Sequence, residues 1–70
     1  MTLHEALQQF DQVITDDAGT YAVCCAIPVI LDSQDGTPEM YCPTCGRTLR
    51  KVWRENWIVT DWGMKGIKLP

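Results

Sequence analysis

Four cysteines, Cys24, Cys25, Cys42 and Cys45, are the side chains of this sequence best suited to chemistry. Cys42 and Cys45 enclose two residues, a spacing that lets both sulfurs reach one tetrahedral ion at metal–sulfur distances near ~2.3 Å. Pro43 restricts the turn between them, and Gly46 is free to take a positive φ directly after the second thiol. Backbone N–H groups in such a turn can point at the thiolates and stabilise their charge. Cys24 and Cys25 pose a different problem, because adjacent side chains on a regular strand point to opposite faces. Either the strand is distorted there and both sulfurs ligate, or one ligates and the other packs in the core, with His4 or an acid completing the site. The expected set is Cys24, Cys25, Cys42 and Cys45 around a structural Zn2+. Four thiolates close the shell and His4 is the single histidine, so no catalytic residue and no enzymatic activity are expected. The plainer alternative is four buried cysteines acting as small hydrophobes.

The segment Tyr41 to Arg50, centred on Cys42-Pro43-Thr44-Cys45-Gly46, resembles the knuckle of zinc-ribbon and related zinc-finger (zinc-knuckle) domains. The resemblance implies a turn joining two strands of a small antiparallel sheet. It also implies the company such ribbons keep, which is often nucleic acid or polymerase machinery. The other half of the chain departs from the pattern, since a second Cys-x-x-Cys is absent. Cys-Pro-Thr-Cys also looks like a thioredoxin or glutaredoxin active site, the signature of a thiol-disulfide oxidoreductase. Those families place the motif after a first strand, at a helix N-terminus. Here it lies past mid-chain, and nothing before it reads as a strand–helix–strand unit.

Charge is segregated along the sequence. Residues 1–46 carry seven acids and neither Lys nor Arg, while residues 47–70 carry six bases and two acids, giving −7 and +4 within a net charge of −3. Arg47, Arg50, Lys51 and Arg54, interleaved with Trp53 and Trp57, form a candidate surface for nucleic acid: the cations neutralise phosphates and indoles stack on unpaired bases. The competing reading is that the bases form a solvated face or pair with the chain's own acids, and the core is the expected place of Trp53 and Trp57. The acidic remainder suits docking on a basic protein partner, among them a nucleic-acid enzyme, with the chain as adaptor or inhibitor. Small free-standing knuckle proteins of this sort look like accessory or regulatory factors, including those of phages and mobile elements.

These side chains need a scaffold, and 70 residues allow one small domain. Such a domain buries only about 60% of its unfolded surface and gains from a metal or another staple. The expected fold is α+β, a small zinc-ribbon-like antiparallel sheet with an N-terminal amphipathic helix. Leu3, Ala6, Leu7, Phe10, Val13 and Ile14 recur at helical spacing over residues 2–15, with a capping box at Thr2 and Glu5. Asp16-Asp17-Ala18-Gly19 ends that helix. Thr20 to Ile27 reads as a strand covered on both faces, and Pro28 marks an edge, a bulge or the end of pairing. Residues 32–38 have hairpin-loop chemistry. Residues 47–57 fit strand or helix, with the knuckle favouring strand; residues 57–60 form a further short strand, and 63–70 a flexible tail. In domain terms, 1–15 is helix, 20–62 a zinc-bound sheet region and 63–70 the tail of a single unit.

Met1-Thr2-Leu3-His4-Glu5 lacks the basic start and apolar run of a signal peptide, and no apolar stretch is long enough to cross a bilayer. The expected setting is reducing and cytoplasmic, where cysteines hold metals more often than disulfides. The partners expected are a protein, with direct nucleic-acid binding possible in chemistry, and neither a membrane nor a small-molecule substrate.

Overall fold

A computed structural model of the chain describes residues 1–64, the side chain of Gln34 apart. Among these residues, one short helix, α1 (Leu3–Leu7), is followed by seven strands: β1 (Gln12–Asp16), β2 (Gly19–Cys24), β3 (Ile27–Pro28), β4 (Ile30–Gln34), β5 (Thr37–Tyr41), β6 (Thr48–Trp53) and β7 (Asn56–Asp61). They make two antiparallel sheets, one of three strands ordered β1-β2-β3 and one of four ordered β4-β5-β6-β7. The result is α+β in outline but mostly strand.

The helix is much shorter than its apolar spacing predicts. Its start is as expected, with Thr2 Oγ1 accepting from Glu5 N–H and Glu5 Oε1 accepting from Thr2 N–H. It ends at Leu7 because the next potential turns contain Val13-Ile14-Thr15, β-branched residues that lose rotamer freedom in a helix and fit a pleated surface. Those residues pair in register with β2, where Val13 faces Ala22 and Ile14 faces Tyr21. Asp16-Asp17-Ala18-Gly19 is accordingly a hairpin turn rather than a helix stop, with Asp16 Oδ1 accepting from Ala18 N–H at 2.8 Å.

The remaining strands follow their turn chemistry. The Thr20–Ile27 strand expected from the sequence breaks after Cys24, and Pro28 lies on the short edge strand β3. Asp35-Gly36, both at positive φ, closes a two-residue hairpin between β4 and β5. Residues 47–57 are strand, not helix, turning at Arg54-Glu55 into β7. Residues 65–70 of the expected tail lie outside the described residues. Its first part is docked rather than loose, with Met64 N–H donating to the Cys45 carbonyl at 2.7 Å.

The core gathers Ala6, Leu7, Phe10, Ala22, Met40, Leu49 and Trp57 together with Cys24, Cys42 and Cys45. Trp57 is in this core as expected, at 4% exposure. Trp53 is not: it is 69% exposed beside the β6–β7 turn, with the Arg54 guanidinium 5.5 Å from its ring centroid. Among the described residues, no helix is long and apolar enough to cross a membrane.

Candidate metal centre

Two turns carry the four sulfurs to one place. The first is the knuckle after β5. Cys42 N–H donates to the Arg47 carbonyl at 3.0 Å and Gly46 N–H donates to the Cys42 carbonyl at 2.8 Å. Gly46 takes φ 87°, the left-handed excursion expected after the second cysteine. The chain beyond β7 crosses this turn closely: a Cβ on Gly63 would lie 2.7 Å from the Arg47 nitrogen and 2.9 Å from the Cys45 carbonyl oxygen. Glycine is what permits that approach.

The second turn is Cys24-Cys25-Ala26-Ile27. Cys24 and Ile27 are paired, so Cys25 and Ala26 are the two central residues, at φ 55° and 66°. Positive φ at both positions is the geometry of a type I′ hairpin. It resolves the difficulty of two adjacent cysteines, because the chain leaves the strand between them and both sulfurs swing to one side. Asp11 holds the turn, its Oδ2 accepting from Cys25 N–H at 2.9 Å. Sequence reasoning counted Asp11 only among the acids of an exterior docking surface, and no local pattern marks its bond to the turn; the contact spans fourteen positions.

The four Sγ atoms all lie within 4.8 Å of one another. Cys24 Sγ is 3.7 Å from Cys45 Sγ and 3.9 Å from Cys25 Sγ, distances far beyond a disulfide bond, and none of the four cysteines is in a disulfide. Cys24, Cys42 and Cys45 are buried and Cys25 is half-buried. Four thiols converging in this way can bind a metal ion, and the donors are wholly sulfur. His4 stands apart on the exposed helix, its Nε2 3.2 Å from Gln8 Nε2.

The electrostatics of the cluster are uneven. Burial pushes the Cys24 thiol up to about 12, helped by hydrogen bonds with Cys42, Cys45 and Cys25. Burial also works against ionisation of Cys42, but backbone N–H groups of Cys45 and Thr44 directed at its sulfur outweigh it and bring it down to about 7. The knuckle is thus built to carry negative charge at one of its sulfurs.

The basic residues singled out in the sequence do not form one surface. Arg47 is 2% exposed. Its Nη1 donates to the Gln9 carbonyl at 2.9 Å and its Nε to the Trp62 carbonyl at 3.2 Å, tying the knuckle to the segment after α1 and to the chain leaving β7. The expectation that it faces a partner fails because backbone carbonyls converge on the inward side of the turn. Arg50 bonds Glu39 at 2.9 Å and Lys51 bonds Glu55 at 3.0 Å. Arg54 is exposed over Trp53. Compared with family models, characterised proteins and solved structures, the chain matches none.

Proposed function

We propose that this chain is a non-enzymatic module, stabilised by a structural Zn2+ held by Cys24, Cys25, Cys42 and Cys45, that acts by binding another protein as a regulatory factor. The sulfur geometry carries the metal part of the reading. A regular tetrahedron with arms of ~2.3 Å has edges of about 3.8 Å. The Cys24–Cys45 and Cys24–Cys25 separations of 3.7 and 3.9 Å bracket that edge. An all-thiolate tetrahedral set suits zinc, and a filled shell leaves no position for a reacting water, hence the structural role. The bound ion replaces the missing mass of core: three of its four ligands are core residues.

Binding of a protein rather than a nucleic acid is supported by what remains on the surface. One arginine of the basic segment is internal and two of its cations are already ion-paired. Large apolar side chains, by contrast, stay in water: Leu31 at 70%, Trp53 at 69%, Val52 at 48% and Ile58 at 41%. A second reading rests on Trp53 itself, whose exposed indole beside Arg54 and Lys51 suits stacking on an unpaired base.

Native mass spectrometry with and without chelator tests the metal part. One zinc per chain, with loss of the folded charge-state distribution on chelation, is the expected result, and a folded metal-free chain overturns it. Titration with single-stranded DNA and RNA at low salt separates the two readings of the surface. Binding lost in Trp53→Ala would favour the second.

A further inference from the structure

The four-stranded sheet has two edges, and they are treated differently. On the β7 edge, Met1 already behaves as a short added strand: its carbonyl accepts from Trp57 N–H at 2.7 Å and its amine donates to the Trp57 carbonyl at 3.0 Å. On the opposite edge, β4 pairs with β5 alone among the described residues. The Asp35-Gly36 turn makes Gln34 and Thr37 the pair that exchanges both ladder hydrogen bonds. Antiparallel alternation then turns the N–H and C=O groups of Leu31 and Ser33 outward. Ser33 N–H is indeed engaged outside the ladder, by the neighbouring Asp32 Oδ1 at 2.7 Å.

The side chains along this edge add a chemical preference. Leu31, 70% exposed, forms the outer lip of an apolar groove of about 300 Å³ between the two sheets. Trp57 lines the same groove, and its Nε1 is buried without an acceptor among the described residues. Asp32 lies on the other face of β4, Asp35 follows in the turn, and residues 30–38 contain no Lys or Arg. We propose that the open edge of β4 is the docking site of the module and that it accepts an extended segment of a partner protein in which cationic and apolar residues alternate. The proposal rests on the protein-binding reading above and names its surface.

Strand addition explains the alternation. A residue opposite Leu31 falls on the groove side and covers that leucine, while a residue opposite Asp32 falls on the outer face. A lysine or arginine there takes the Asp32 carboxylate and releases Ser33 N–H to the new ladder. An acidic strand meets repulsion instead, so Asp32 acts as a gate that selects by charge. A second copy of this chain is a poorer occupant: antiparallel self-pairing centred on β4 would set Asp32 against Asp32.

The zinc-loaded full chain, titrated with a short capped peptide alternating lysine and isoleucine, tests this by amide NMR. The expected result is shift and exchange protection at Leu31 and Ser33. Affinity should fall with added salt, and binding should be absent when glutamate replaces lysine. Ser33→Pro leaves the β4–β5 ladder bonds in place, removes the outward N–H with its bond to Asp32, and should weaken binding about tenfold. Asp32→Lys should weaken it at least as much and abolish the salt dependence. Unchanged metal content and amide dispersion in both variants show that the fold is intact. No binding at millimolar peptide overturns the proposal, as does equal binding of the block-ordered peptide of the same composition. Protection at residues 52–54 instead overturns the β4 site while leaving the binding-module reading standing. A two-chain mass lost in Ser33→Pro would put a second copy on β4 and overturn the partner.

Discussion

The turn at Cys42–Cys45 and the turn at Cys24–Cys25 each deliver two sulfurs to the same cluster, with opposite use of the backbone. In the first, two residues separate the ligands and the left-handed position falls on Gly46, φ 87°. In the second, the ligands are adjacent and the left-handed positions fall on Cys25 and Ala26, neither of which is glycine. The first turn is relaxed and stabilises charge at Cys42 through N–H groups. The second is held against its own preferences by Asp11 and by pairing of Cys24 with Ile27. A left-handed non-glycine residue costs roughly 1–2 kcal/mol, so something beyond local propensity maintains it. The metal proposed at this site is the obvious candidate, and the turns should respond unequally to its loss.

Chelation is the largest perturbation. Structural zinc in small domains supplies about 10–16 kcal/mol, more than a chain of this size holds in reserve. Circular dichroism and amide NMR after chelation should show loss of the fold, with exchange protection vanishing from the Cys24–Ile27 hairpin before the Cys42–Arg47 turn. Within the second turn, Cys24→Ser should release the metal more completely than Cys25→Ser, because Cys24 is buried in the core and water can reach the Cys25 position. Equal losses would mean that the two adjacent ligands are equivalent despite their burial.

Acid should act as a graded chelator. The metal-bound state needs thiolates, and binding releases the protons they carried. Without metal, Cys24 is pushed up to about 12 and retains its proton at neutral pH, while Cys42, drawn down to about 7, is protonated only below that value. The logarithm of the apparent affinity should therefore rise with pH at a slope of at least ~1. It should steepen by about one further proton below pH 7. Competition with a colorimetric zinc indicator from pH 5.5 to 8, roughly the span that brackets Cys42, would read the slope directly. A pH-independent affinity would sink the thiolate site.

Arg47 tests the support of the first turn. Its guanidinium serves the Gln9 and Trp62 carbonyls from a site 2% exposed. Arg47→Ala leaves both acceptors without that donor and opens a cavity, for a loss of about 2–4 kcal/mol in denaturant unfolding of the metal-bound protein. Arg47→Lys should recover little, since an ammonium does not reproduce the fork that reaches two carbonyls. Arg50→Ala, at a half-exposed surface pair, should cost no more than about 1 kcal/mol.

What the sequence made legible follows the same division. The knuckle was readable because its spacing, Pro43 and Gly46 are local signals, and so was the strand at residues 57–60; a hairpin was legible within residues 32–38, but its loop is only Asp35-Gly36 and the flanking residues are strand. The helix was overextended because apolar spacing over residues 3–14 satisfies a helix period even though Val13 and Ile14 belong to a strand. Their β-branching leans that way, but the pairing with β2 decides it, and that depends on residues further along the chain. Arg47 and Trp53 were misplaced for a related reason. In the sequence both sit in one basic, aromatic run, yet the fold turns the arginine inward to carbonyls from two distant segments and leaves the tryptophan at a hairpin end. The Cys24–Cys25 geometry had no local signal at all, since neither residue nor Ala26 is a usual left-handed former.

That last point yields the smallest effect and the sharpest comparison. Ala26→Gly removes a Cβ from a residue at φ 66°, and Gly46→Ala adds one at φ 87° where nothing lies within 4 Å of the new atom. The new atom at Gly46 meets nothing and Ala26 is exposed, so both changes report chiefly conformational energy. Gly46→Ala should destabilise the metal-bound protein by about 1–2 kcal/mol. Ala26→Gly gains the same kind of relief but also loosens the unfolded chain, so its net stabilisation should be only about 0.5–1 kcal/mol. Measured with the metal present, the two changes should have opposite signs. A destabilising Ala26→Gly would mean that the alanine methyl contributes more by its contacts than its left-handed backbone costs, and the second turn would then be no more strained than the first.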